Sequence, residues 1–270
     1  MTPTTRFSAR LARASLTLAL VLLTNVALAQ EEPEKKQWQI TLGAGVVSLP
    51  EYPGSESEEI RALPLLSVRY GRFFLGGVPG NPSPAGLGAY LYEDETWSVG
   101  AVISADVLDP RQESDDPRLR GLGDIDSTQR AGLFASYKIG WLTLRASALS
   151  DIGSNAQGTI ASFDAEATFR PIPRLVLSAG PGVRWANDEY TQTFFGIDAE
   201  QAAGSSFAQY TPGGGANLVR FSLGAQYQLT PHWGLGARAS AGRLEGDAAD
   251  SPIVEDKNQN NYALFVSYRF

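Results

Sequence analysis

Asn260-Asn261-Tyr262-Ala263-Leu264-Phe265-Val266-Ser267-Tyr268-Arg269-Phe270 closes the sequence with the pattern on whose reading the fold class turns. Tyr262, Leu264, Val266, Tyr268 and Phe270 occupy alternate positions, so an extended backbone puts all five on one face and Ala263, Phe265, Ser267 and Arg269 on the other. The apolar face carries aromatic rings at both ends, as expected where amphipathic rings sit at two membrane interfaces. A half-buried closing strand of a soluble sheet could alternate in the same way. The rest of the chain has to separate the two readings.

Working backwards from that strand, the alternation repeats. Trp233, Leu235, Ala237 and Ala239 oppose Gly234, Gly236, Arg238 and Ser240, and Val219, Phe221, Leu223, Ala225 and Tyr227 oppose Arg220, Ser222, Gly224, Gln226 and Gln228. Ala161 to Phe169 alternates with Ser162, Asp164, Glu166, Thr168 and Arg170, and two charges in mid-strand suit a watery lumen better than a packed core. Strands are predicted at 37–48, 62–70, 72–78, 84–92, 96–106, 129–138, 141–150, 158–170, 174–185, 217–229, 232–243 and 260–270. Most lie near the ~9–11 residues of a tilted membrane strand. That is about twelve, an even number as in bacterial single-chain barrels.

The connections make an independent test. Short links at Gly71-Arg72, Glu93-Asp94-Glu95, Ile139-Gly140, Pro171-Ile172-Pro173 and Thr230-Pro231 alternate with long ones at 49–61, 79–83, 107–128, 151–157, 186–216 and 244–259. With the first strand starting in the periplasm, every short turn is periplasmic and every long loop extracellular. A soluble sandwich or lipocalin-like barrel has no reason to sort its loops by length. The expected fold is therefore all-β: an antiparallel transmembrane β-barrel over residues 37–270, with its first strand, around Trp38 to Val46, pairing with its last.

The N-terminus fits export. Arg6, Arg10 and Arg13 precede an apolar run from Leu16 to Leu23, and Ala27-Leu28-Ala29 supplies the small residues of a cleavage site. Residues 1–29 read as a cleaved signal peptide and 30–36 as a polar periplasmic tail. Cleavage removes three arginines and no acid, taking the formal net charge from −7 to −10. An acidic chain without a basic stripe argues against nucleic acid. No cysteine is available for disulfides or thiolate chemistry, and His232, the single histidine, sits between Pro231 and Trp233 in a predicted turn. No catalytic, cofactor-binding or metal-ligating set is assigned. Asp247, Asp250 and Asp256 lack the alternate carboxylate spacing of a calcium loop. Asp164 and Glu166, about 7 Å apart on one face, have Arg145 and Arg170 available as partners.

Several segments resemble the MltA-interacting protein (MipA) / OmpV family of Gram-negative outer-membrane proteins. They are Pro50-Glu51-Tyr52-Pro53-Gly54-Ser55, Leu63-Pro64-Leu65, Leu119 to Ile125, Trp185 to Tyr190 with Phe194-Phe195-Gly196-Ile197, and Arg243 to Val254. Their order spans nearly the whole mature chain. The resemblance implies a non-enzymatic barrel in the outer membrane, in contact with lipid and lipopolysaccharide. A murein lytic transglycosylase and a peptidoglycan synthase are the implied partners of a scaffold, and small-molecule passage or adhesion is the alternative. The terminal strand, with Tyr262, Tyr268 and Phe270, resembles the signal by which the barrel-assembly machinery recognises its substrates.

Strand direction adds one expectation about the lumen. Arg130, Arg184, Arg220 and Arg243 are placed inward near the outer mouth, below loops rich in acids, among them Asp109, Asp124, Asp126, Asp247 and Asp250. Buried charge is costly unless paired, so some of these acids are expected to fold back onto the arginines and constrict the pore. An anion-selective mouth is the sharper alternative, because guanidinium grips carboxylate and phosphate in bidentate fashion. Loops packed into the barrel would favour a scaffold or gated uptake, and a continuous channel would favour transport.

Overall fold

The computed structural model describes residues 38–77, 85–105 and 110–270. The expected signal peptide and tail, and Asp109, lie outside the described residues. Twelve strands form among them: β1 (Trp38–Pro50), β2 (Glu58–Tyr70), β3 (Phe73–Gly76), β4 (Gly86–Glu93), β5 (Trp97–Ala105), β6 (Gln129–Ile139), β7 (Leu142–Asp151), β8 (Thr159–Ile172), β9 (Leu175–Ala186), β10 (Gly215–Gln228), β11 (Trp233–Leu244) and β12 (Asn258–Arg269). Each pairs antiparallel with its chain neighbours, and β1 pairs with β12 to close the barrel. The ring gives each strand a neighbour on both sides, as a sheet standing in lipid requires.

The closing register runs from Thr41 opposite Arg269 to Ser48 opposite Tyr262, and the Phe270 amide donates to the Ile40 carbonyl at 3.0 Å. Close approach at this seam uses glycine, since a Cβ on Gly43 would stand 2.3 Å from the Val266 carbonyl oxygen. Period-two patterning then sets the two faces. Leu264, Phe163, Leu133, Ile60 and Leu223 are outward and more than half exposed, as side chains that meet acyl chains must be. At the turn end, aromatic rings form a belt: Trp38 stacks on Tyr70 at 4.6 Å, Trp97 lies 4.4 Å from Tyr137, and Tyr268 contacts both Trp233 and Phe270. Such belts place amphipathic rings at the headgroup level.

The inside is divided between two chemistries. Along β3 to β7, Phe74, Tyr90 and Phe134 meet at 5.5–5.8 Å with Val102 and Leu149 around them. Inward glycines receive these rings. A Cβ on Gly88 would lie 2.3 Å from Phe74 Cζ, and one on Gly100 equally close to Phe134 Cζ. Along β7 to β11 the wall is ionic: Arg145 pairs with Glu166 at 2.9 Å and Arg220 with Asp164 at 2.5 Å. Both acids of β8 are therefore held by cations, Glu166 by Arg145 of the adjacent β7 and Asp164 by Arg220 from across β9.

Two differences from the sequence expectations have physical reasons. β2 begins at Glu58 rather than 62, because β1 continues to Pro50 and pairs with it to the end. The long loops also carry helices: α1 (Asp188–Phe195), α2 (Ala199–Gly204) and α3 (Gly246–Ala249). These are too short to show helical periodicity, and only their caps mark them. Asn187 accepts from the Tyr190 amide, and Asp198 forms a capping box with Gln201.

Candidate functional site

The long loops meet one another over the barrel mouth. The 110–128 and 245–257 segments follow β5 and β11, six steps apart in a ring of twelve strands, so contacts between them cross the opening. Arg118 forms an ion pair with Glu255 and donates to the Pro252 carbonyl at 3.4 Å, while Tyr52 from the 51–57 loop donates to the other oxygen of Glu255 at 3.0 Å. Burial and the Glu255 carboxylate push the Tyr52 phenol well above its ordinary pKa, so it remains a donor at physiological pH. Gly54 (φ +102°) accepts from the amides of Glu255 and Asp256. A Cβ there would meet Val254 at 2.7 Å.

Apolar burial holds this cap together. One cluster joins Tyr190, Phe194 and Phe195 of α1 to Ile125, Leu244, Ala248 and Ala249. A second joins Tyr52, Leu119, Leu122, Ile197 and Ile253. Phe195 and Ile197 are fully buried, and each such side chain contributes about 1.5–3 kcal/mol. Polar ties finish the lattice: Ser251 donates to the Phe195 carbonyl at 2.6 Å, and Gln201 to the Leu122 carbonyl at 2.6 Å. Arg111, 2 % exposed, donates to the Phe194 carbonyl at 3.4 Å, and desolvation by burial lowers its pKa.

Below the cap is a cavity of about 520 Å³. Tyr190 and Phe194 of α1, Tyr52 and Pro53 contribute to its lining, with Arg61, Arg130 and Arg184 from β2, β6 and β9 and Glu51 and Glu59 among its polar groups. Arg130 donates to the Gln157 side chain at 2.8 Å and lies 5.8 Å from the Tyr190 ring. Arg184 lies 5.5 Å from the same ring and donates through Nε to Asn217 Oδ1 at 3.0 Å. Arg220 lies two residues further along β10 than Leu218, the register partner of Arg184, and is paired with Asp164.

Arg243 does not join them. It shares the parity of Trp233 and Leu235, so it faces outward, with a half-exposed side chain 3.7 Å from Glu245, while the inward neighbour Leu244 enters the cap core. The contacts of four described loop acids are to other groups. Asp124 caps the Glu113 amide at 2.8 Å, Asp247 accepts from the Gly213 amide at 2.7 Å, Asp250 pairs with Lys257 at 3.1 Å, and Asp126 receives Gln157 through its backbone carbonyl. Loop backbone that leaves the sheet has unpaired amides, and short carboxylates satisfy them locally more cheaply than they reach the lumen. Apolar clusters, with the Arg118–Glu255 pair beside them, bring the described loops over the mouth. The residues that sequence reasoning missed are Arg61, Asn217 and Tyr190. His232 stays at its turn, stacked on Tyr268 at 5.5 Å, with Nδ1 2.9 Å from the Arg269 carbonyl oxygen.

A closed antiparallel barrel with a lipid-facing apolar exterior, aromatic belt and loop-capped mouth defines an outer-membrane β-barrel protein. The chain belongs to the MltA-interacting protein MipA family, whose model matches residues 42–270. It is 25 % identical to the MltA-interacting protein of Escherichia coli K12 over 94 % of this chain and 98 % of that one. It is 26 % identical to the E. coli K12 putative outer membrane protein YiaT, over 86 % of this chain and 91 % of that one. Among solved structures it resembles an outer membrane channel of Pseudomonas putida F1, with a TM-score of 0.47, 14 % identity, and 91 % and 100 % coverage of the two chains. The protein resides in the outer membrane.

Proposed function

We propose that this barrel is a non-catalytic, membrane-seated scaffold that holds a murein lytic transglycosylase, and with it a peptidoglycan synthase, at the inner surface of the outer membrane. The observation that carries the reading is the cap: loops from opposite sides of the barrel are cemented by buried apolar clusters across the mouth, which disfavours free diffusion through the lumen. The printed name of the MltA-interacting relative supports the choice of partner. The periplasmic rim then supplies the docking face, with Arg72, Arg174 and His232 at three of its turns.

Photo-crosslinkers placed at Arg72, Arg174 and His232 in intact cells should capture the transglycosylase, while one at Asp198 in the cap should not. Capture from none of the rim positions would sink the scaffold reading. A gated channel for small, anionic solutes or antibiotics is the second reading, favoured by the arginine-lined cavity under the cap. It requires that deletion of residues 187–214 convert a quiet reconstituted barrel into a conducting one with anion selectivity.

A further inference from the structure

The cavity beneath the cap has the size and composition of a ligand chamber rather than of a packing defect. Small-molecule sites typically enclose about 300–1,000 Å³, with mainly apolar walls and a few convergent polar groups, and this one measures about 520 Å³. Leu63, Ile160, Leu218 and Leu244 supply apolar wall, and the aromatic side chains of α1 lie against it. Its charges are unequal in number and in engagement. Glu59 is matched by Arg61 on its own strand at 2.5 Å. Arg184, by contrast, is in no ion pair with a described residue. Its one hydrogen bond runs from Nε to Asn217 Oδ1, and Asn217 is 2 % exposed. Held by Nε and flanked by the Tyr190 ring, Arg184 keeps its two terminal nitrogens for something else. That end-on pair of N–H donors matches the two oxygens of a carboxylate.

We propose that the chamber is a binding site for a small amphipathic carboxylate, with the acid on the terminal nitrogens of Arg184 and the apolar body against Leu218, Leu244 and Ile160. Arg130, bonded to Gln157, also lines the chamber, 5.8 Å from the Tyr190 ring. Asn217 is a positioning residue: it fixes the rotation of the guanidinium and thereby which edge faces the chamber. The inference stands apart from the scaffold reading, since it concerns the lumen and not the periplasmic rim.

The test uses the full mature protein in nanodiscs, with 4-phenylbutyrate and its neutral counterpart 4-phenylbutyramide as probes in calorimetry and ligand-observed NMR. The carboxylate should bind at least about tenfold more tightly than the amide, the factor expected for a charge-assisted hydrogen bond. Arg184→Gln should abolish that preference while leaving weak, equal binding of both probes, and Arg184→Lys should retain part of it. Leu218→Trp, which fills the chamber, should weaken both probes together. Equal affinity of the two probes for the unmodified protein would overturn the proposal, as would undiminished carboxylate preference in Arg184→Gln or no binding up to about 10 mM. The comparison of probes on the unmodified protein decides the matter even if a variant fails to fold.

Discussion

Gly182 shows how one residue without a side chain organises three strands. It sits on β9 between Asp164 of β8 and Arg220 of β10, opposite both in register. A Cβ there would lie 2.1 Å from Asp164 Oδ1 and 2.9 Å from Arg220 Nε, so the ion pair crosses β9 through the space a side chain would fill. Gly182→Ala is therefore expected to push the pair apart and to cost about 1–3 kcal/mol, as overpacking does. The denaturant midpoint of the folded, heat-modifiable band on gels would measure it. In an Arg220→Ala background the same glycine change should cost little, because the strain depends on the partner; additive losses would refute this coupling.

Among the elements, the cap and the periplasmic turns are governed by different forces. The Arg118–Glu255 pair is about two-fifths exposed on the arginine side, and exposed pairs contribute only about 0–1 kcal/mol. Phe195→Ala removes a fully buried ring, for which about 3–5 kcal/mol is typical. We expect Phe195→Ala to make the 187–214 segment sensitive to protease and fast in hydrogen exchange, and Arg118→Ala to leave both nearly unchanged. The reverse order would mean that the ion pair, not apolar burial, holds the cap. At the opposite end, Asp94 accepts from the Thr96 and Trp97 amides and from the Tyr92 hydroxyl, and these bonds, led by that from Trp97, lower its pKa. A depressed carboxyl pKa stabilises the fold above the unfolded value and loses that contribution as pH falls through the folded value. The β4–β5 turn should thus hold constant protection down to about pH 4 and loosen only below it, visible as faster exchange of the Thr96 and Trp97 amides. Loosening between neutrality and pH 5 would contradict that assignment.

At the scale of the whole molecule, closure is the step on which everything else depends. β1 and β12 must meet in one register, and Gly43 permits it, since a Cβ there would collide with the Val266 carbonyl. Gly43→Val should yield chains that reach the membrane but lack the compact, heat-modifiable form, whereas Ala44→Val, facing lipid, should fold normally. Equal folding of the two would remove the seam from consideration. The hydrogen bond from Phe270 to Ile40 ties the first and last strands together at one rim.

Much of this architecture was legible in the sequence because a lipid-facing strand must alternate and a barrel must sort its turns. Both constraints act within a few residues of chain, so Tyr262 to Phe270 and the short links reveal them directly. The outward position of Arg243 was legible too, by counting from Trp233, and only its nearness to the mouth suggested otherwise. The cap was not legible. α1 and α2 are brief, and what fixes them is burial of Tyr190, Phe195 and Ile197 against residues from other loops, distant in sequence. Nor could the chain alone show which acid meets which arginine: Asp164 and Arg220 are 56 residues apart and joined through a glycine on a third strand. The sequence by itself determined which face of each strand meets lipid, since that is a local matter of period and polarity. Only the tertiary structure decided what fills the lumen and closes its mouth, because those contacts exist only after the ring has closed and brought opposite strands within reach.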